Sequence, residues 1–477
     1  MKTVQKRWLW SLSLFGLAFV GGWVTRYYVN TPSFGKSTVV VQRDFAPAVA
    51  DSRVPKSNPK ISEPEMLRLY WRVWSLVQDE YVEPVDEEKL LQGSLSAMLA
   101  SLNDPRSQYL NPKQYDQYAR ALNGEVDGIG AVLKVIQRKT TLRIKGSEET
   151  APLEQSLIQV VSVLPNSPAE KAGLQPGDFI TYVDKQWVIS EDPFAEVLQL
   201  QRIHSDRQQV REASERARER LRNSITIAQA IETLSHAPQP NERLKPLQLT
   251  IQRGSNTLEL TVGRSQTRVR SLEYKMLPNR VGYLRISMLN PRAVSEFNSA
   301  LDTLRKGGAN ALVIDLRGTA IGQQEPTLQI LSQLVRQRAV AMVETREGKQ
   351  MSKRALNLRQ EPKASPLRLA VLVDRGTYNL AELMALALRT GAKARLFGAT
   401  TAGDASQTVL YRLQDGSAFT LTVGRYYGAD NTAFHLRGVQ PDERVAEAVR
   451  MRGQPNGDPA LDRALRWLST NTKEKKA

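Results

Sequence analysis

From residue 281 onward, short apolar runs alternate with amphipathic stretches, and this alternation constrains the fold more than any other feature of the chain. VGYLRISML reads as a strand, VSEFNSALDTLRKGG as a helix, ANALVIDLRG as a strand and PTLQILSQLVRQR as a helix. AVAMVET, LRLAVLVD and ARLFGATTAG continue the strands, with the helical run LMALALRT following LRLAVLVD. Strands separated by helices connect by crossovers, so the pattern predicts a largely parallel sheet with helices on its faces. TVLYRLQDGSAFTLTVGRYYG then reads as late antiparallel strands, and residues 451–477 as a polar tail that frays.

Upstream the pattern is different. Leu67, Tyr70, Trp71, Trp74 and Val77, then Leu90, Leu91, Leu95, Met98 and Leu99, recur at helical spacing on either side of YVEPVDEE. They predict two packed helices within a helical region over 61–122. GEVDGIGAVLKVI, SLIQVVSVL and QPGDFITYVDKQW read as strands, and LQLTIQRGSNTLELTVG as a hairpin closed around Arg253 and Asn256. Between them lies a charged helical insertion, about 193–237. Its apolar stripe runs Val210, Ala213, Ala217, Leu221, Ile225, Ala228, Ile231, Leu234. The arginine-rich face opposite is either solvated or a partner surface.

The first 30 residues carry Lys2, Lys6 and Arg7, then an apolar run from Trp8 to Val24 flanked by aromatic residues. That run nearly spans a hydrocarbon core of about 30 Å. No A-x-A-like site follows it, which favours an uncleaved anchor with the body on the extracytoplasmic side. Residues 31–60 read as a linker. The net charge of +17 has no zinc-finger spacing, helix-turn-helix pattern or aromatic-interleaved basic patch behind it, so nucleic acid is not expected as a partner. The absence of Cys removes disulfides, thiol catalysis and Cys-based metal sites, and no metal or cofactor is expected.

These blocks, in this order, resemble the carboxyl-terminal processing peptidases, or tail-specific proteases, over roughly residues 61–450. GIGAVLKV with VVSVLPNSPAEKAGLQPGDFITYVD is similar to that family's PDZ domain (123–265), and VGYLRISML, ALVIDLRG, LFGATTAG and GVQPDERV to its core (266–450). The resemblance implies an α+β multidomain protein: a membrane anchor, a helical region, a PDZ domain with a helical insertion, and an α/β peptidase core. It also implies a Ser/Lys dyad, in which a desolvated neutral lysine activates the serine.

This sequence departs from that pattern where the chemistry should be. Within GTYNLAE (376–382), aligned on Glu382, the nucleophile's place is held by Asn379, and the lysine's place after Gly403 by Asp404. An amide is no nucleophile, and a carboxylate read as exposed, near its ordinary pKa of about 3.9, is a poor base. In the oxyanion region DLRGTAIGQQ, Gly322 remains but Ile321 replaces a glycine, which removes room for a bound carbonyl. Asn379 and Glu382 instead fit a helix cap. Thr377, Ser406, Lys393 and the histidines His204, His236 and His435 show no catalytic spacing. In the PDZ region, Gly128, Ile129 and Gly130 resemble the loop that holds a peptide's terminal carboxylate; an ordinary strand-start turn is the alternative.

Three readings follow. The first is a catalytically inactive, membrane-anchored pseudoprotease that binds protein C-termini or pairs with an active relative. The second is an active serine endopeptidase with a displaced dyad. The third is a structural protein whose groove is closed.

Overall fold

The computed structural model describes residues 65–143, 150–203, 205–238, 242, 244–361, 367–445 and 457–473. The expected anchor (1–30), the linker (31–60) and His204 lie outside the described residues. Among the described residues, no helix is long and apolar enough to cross a membrane.

The alternating segment builds a six-stranded sheet. Its order is Leu272–Leu277, Val281–Ile286, Ala311–Asp315, Arg368–Val373, Arg395–Gly398 and Glu443–Arg444. The first pair is antiparallel and the remaining four are parallel. Helices Pro291–Lys306, Gln324–Ser332 and Leu380–Gly391 bury one face through Phe297, Leu301, Ile330, Leu331, Leu383 and Leu386. Each such side chain contributes about 2 kcal/mol of apolar burial.

The other face is covered by a helix where a fraying tail was expected. Pro459–Lys473 lays Ala460, Ala464 and Leu468 on Val281, Val313, Ala370 and Phe397. Their spacing of four residues puts them on one helical stripe. Asp458 pins the start of this helix, accepting from Leu461 N at 3.1 Å and pairing with both Nη atoms of Arg317 at 2.9 and 2.7 Å.

AVAMVET is a strand, Ala339–Glu347, but it leaves the parallel sheet. It pairs antiparallel with Gln350–Asn357 and Ala418–Gly428 in a second, five-stranded sheet. That sheet also takes Ser406–Arg412 and, from the N-terminal region, Gln108–Leu110. Helix Leu380–Gly391 packs between the two sheets, which is why ten of its residues, Leu380 through Leu388 and Gly391, are buried. An all-round buried helix has no solvated face on which to rotate, so its N-terminus is held in place.

Strands between Ala131 and Val262 form a separate, mainly antiparallel sheet. Among the described residues, Ala131–Arg143 pairs only with Thr150–Val163 and is an edge strand. Phe179–Val183 and the hairpin Leu247–Arg253/Asn256–Val262 complete the centre, with Arg253 opposite Asn256 as expected. The single helical stripe expected over 193–237 is broken. Helices Ala195–Arg202 and Arg207–Arg222 pack on each other through Val197, Leu200, Ala213 and Ala217. The chain then enters the sheet at Ser224–Ile225 and restarts as helix Ile227–Ser235, capped reciprocally by Thr226 and Gln229. That last helix belongs to the domain's own core: Ala230 and Leu234 pack with Ile129, Ile158 and Val262. Ahead of all this, helices Glu65–Glu80 and Glu87–Ala100 pair through Tyr70 Oη and Ser94 Oγ at 3.0 Å.

Candidate functional site

Strand Arg368–Val373 ends at Asp374, and the turn to helix Leu380–Gly391 is tightly built. Asp374 Oδ1 accepts from Gly318 N (2.9 Å) and Gly376 N (3.0 Å). Thr377 Oγ1 donates to Leu316 O (2.9 Å) and accepts from Asp374 N (3.0 Å), so this buried hydroxyl is turned into the core. A Cβ on Gly376 would lie 3.0 Å from Gly318 Cα, which fixes glycine there. Asn379 then adopts φ 52°, ψ −109°, a region that costs a non-glycine residue about 1–3 kcal/mol. The junction keeps the sharp elbow that would present a side chain at the helix N-terminus.

What holds the elbow is Glu382, fully buried one turn in. Its Oε2 accepts from Asn379 N (2.9 Å) and Asp404 N (2.8 Å), and its Oε1 from Gly403 N (2.7 Å) and the Thr401 hydroxyl. Burial pushes its pKa up to about 7 against the pull of those hydrogen bonds. The carboxylate thus ties the helix start to the 401–404 loop.

Asn379 is the N-cap residue, as expected, with Glu382 returning the capping-box bond to its N–H, while its carboxamide reaches toward the 404–406 segment. Nδ2 donates to Ser406 O (2.8 Å) and Asp404 O (3.2 Å), and Oδ1 accepts from Arg106 Nη2 (3.3 Å). Asp404 is buried rather than exposed. Its Oδ1 accepts from Ser406 N (2.8 Å), and its Oδ2 faces Arg106 Nε at 3.4 Å. Burial would raise this carboxyl's pKa, but the Arg106 charge and the Tyr378 and Ser406 hydrogen bonds outweigh it and hold it below the usual range. Asn379 and Asp404 are therefore neighbours, joined by the Nδ2–carbonyl hydrogen bond and by their shared contact with Arg106.

Two cations reach this place from other parts of the chain. Arg106 comes from the turn after helix Glu87–Ala100, and its Cζ lies 5.3 Å from the centre of the Tyr378 ring. Lys134 comes from the edge strand, with Nζ 5.6 Å from the same ring centre. Val132, two residues earlier on that strand, packs with Val161, Ala320 and Tyr378, so Lys134 shares its face. Burial lowers the Lys134 pKa, although Asp404 and Glu382 pull the other way. Neither cation is legible as a site residue in the sequence. Arg106 and Asn379 are 273 residues apart, and only the fold relates them.

The remaining expected residues are placed elsewhere. Ile321 packs toward Leu164, Val269 and Met288, filling the oxyanion region, and Gly322 lies against Leu289 and Leu380. Ser406 offers its backbone to Asn379 and Asp404. His435 Nδ1 accepts from Ala405 N at 3.4 Å, and burial lowers its pKa. Lys393 is exposed beyond the far end of the junction helix, about 18 Å from Asn379 at 1.5 Å per residue.

The second candidate element is the loop before the edge strand. Gly128 (φ 89°) and Gly130 (φ 76°) need glycine, because a Cβ would lie 2.1 Å from Leu234 O and 2.3 Å from Ser167 Cβ respectively. Ile129 N donates to Leu234 O at 2.9 Å. Helix Ile227–Ser235 therefore uses one of the loop's N–H groups, while the outer edge of Ala131–Arg143 stays unpaired by any strand among the described residues.

Comparison with known proteins places each part. Residues 280–445 match peptidase family S41, residues 159–206 a PDZ domain, and residues 33–114 the activating protease CtpB N-terminal domain. The carboxy-terminal processing protease CtpB of Bacillus subtilis is 28% identical over 397 residues, covering 83% of this chain and 69% of its own. The carboxyl-terminal-processing protease of Synechocystis sp. is 27% identical over 377 residues, covering 79% and 76%. Among solved structures, the photosystem II D1 C-terminal processing protease superposes with a TM-score of 0.52 at 21% identity, over 79% of this chain and 86% of that one. That superposition is a likeness of fold.

Proposed function

The chain belongs to the carboxyl-terminal processing peptidase family, with its PDZ domain, and from that premise we propose that it is a non-cleaving member that binds protein C-termini or regulates an active relative. In this reading residues 1–30 anchor it to a membrane with the body on the extracytoplasmic side. The observation that carries it is the state of the dyad positions. The side chain in the nucleophile's place is a carboxamide already bonded to Ser406 O, Asp404 O and Arg106. The side chain in the base's place is a carboxylate paired with a guanidinium, which leaves it with less basicity than an ordinary Asp.

The names of the relatives favour the alternative, cleavage by a displaced dyad. Such a dyad needs an activated hydroxyl, and the Thr377 and Thr401 hydroxyls are committed to Leu316 O and to Glu382. The test is incubation of the purified full chain with an unfolded substrate bearing an apolar tail. No cleavage is expected, and none from Asn379→Ser alone, since no amine takes the lysine's place. Cleavage abolished by a Ser406 or Thr377 substitution would establish the alternative.

A further inference from the structure

The cleft left by the dyad is unbalanced in charge. Arg106 and Lys134 both face Tyr378, and one ionised carboxylate, Asp404, stands against them. Glu382 is fully buried and its four acceptor contacts are already made inside the loop, so it pairs with neither cation. Lys134 Nζ has no carboxylate within ion-pair distance among the described residues, and its three donors have no hydrogen-bond acceptor there. Arg106 Nε is buried without a hydrogen-bond partner, and so is Asp404 Oδ2, the oxygen it faces. A buried donor without an acceptor costs about 1–3 kcal/mol, more when charged.

We propose, resting on the non-cleaving reading above, that this cleft is a binding site for the terminal carboxylate of a peptide, received between the two cations that meet at Tyr378, Lys134 Nζ and the Arg106 guanidinium. Two cations against one carboxylate leave a single uncompensated positive charge, which suits a monoanion. A carboxylate accepts from a guanidinium fork and an ammonium together. The Lys134 ammonium is also the group most relieved by such a ligand, because burial destabilises its charged form. The strand that carries it has an unpaired edge along which peptide backbone can lie. This site is distinct from the loop at Gly128–Gly130. Lys134 is five residues beyond Ile129, about 16 Å along an extended strand, and its side chain is on the Tyr378 side.

The test is photo-crosslinking of the full chain with a peptide ending in Ala-Ala, carrying benzoylphenylalanine upstream, as free acid and as amide, with crosslinks mapped by mass spectrometry. The free acid should label residues around Tyr378. That labelling should fall about 10-fold or more in Lys134→Met and in Arg106→Gln and persist in Lys134→Arg, with melting temperatures confirming that each variant is folded. Labelling confined to the Gly128–Gly130 side and indifferent to Lys134→Met would overturn this site and leave capture by the PDZ domain standing. Equal labelling by acid and amide everywhere would overturn both. Competition by free acetate as effective as by the peptide acid would also overturn it, since the site would then be one for small acids.

Discussion

The junction at Asn379 and the loop at Gly128 are both turns held by backbone N–H groups, and they stand in opposite states. At the junction most of the protein's own groups occupy one another, carboxamide to carbonyls and Glu382 to three backbone N–H groups and a hydroxyl, while Arg106 Nε and Asp404 Oδ2 face each other at 3.4 Å without a hydrogen bond. At the loop one N–H is spent on Leu234 O and a strand edge stays open. Burial accounts for the difference. Asn379, Glu382 and Asp404 are 5%, 0% and 6% exposed, so every polar atom introduced there needs an internal partner. The PDZ edge strand is only partly buried, and among the described residues no strand pairs with its outer edge.

The comparison breaks most decisively at Glu382. Glu382→Ala removes the acceptor for Asn379, Gly403 and Asp404 N–H together and should cost about 4 kcal/mol in urea unfolding. The same residue sets a pH dependence. Its folded pKa of about 7 lies above its ordinary value of 4.5, so its protonated form stabilises the fold. That contribution is complete below pH 4.5 and is lost as pH rises to about 7, on the order of 3 kcal/mol. Measured against Glu382→Gln, wild-type stability should therefore decline across this window. A flat difference would show that the carboxyl titrates normally.

A smaller effect is expected at Arg106. Arg106→Ala leaves Asp404 buried and unpaired at a cost of about 2 kcal/mol, the guanidinium's own partial exposure keeping it below a fully buried pair. Asp404→Asn in that background should recover part of the loss, with a coupling of about 1 kcal/mol. Additive effects would mean that the pair is incidental.

The loop should respond least. Gly128→Ala brings a Cβ against Leu234 O and should cost about 1–2 kcal/mol while speeding hydrogen exchange at Ile129 N. Gly254→Ala, at φ 60° with open space around it, is the control and should show only the backbone strain. Equal costs would mean that the groove helix yields freely.

Much of this architecture could be read from the residue pattern. The strand and helix alternation from 281 yields the parallel sheet, because period-2 and period-3.6 runs cannot exchange roles. AVAMVET was legible as a strand but not as a member of the second sheet, since its alternation records one buried face and not which neighbour buries it. The stripe ending at Leu234 was legible as apolar, yet the break at Asn223–Thr226 turns on a cap and a two-residue strand. Helix Pro459–Lys473 is obscured in the sequence by the charged residues around it, although Ala460, Ala464 and Leu468 carry the stripe.

At the site, the residue types could be read directly: Asn379 and Asp404 stand where the alignment expects a serine and a lysine. The tertiary structure alone decided what became of the space. Arg106 and Lys134 arrive there from two other parts of the chain, and the pairing and desolvation that set their behaviour depend on distances of a few ångströms. Residue type limits what a group can do, whereas its charge state and partners belong to the surroundings that folding assembles.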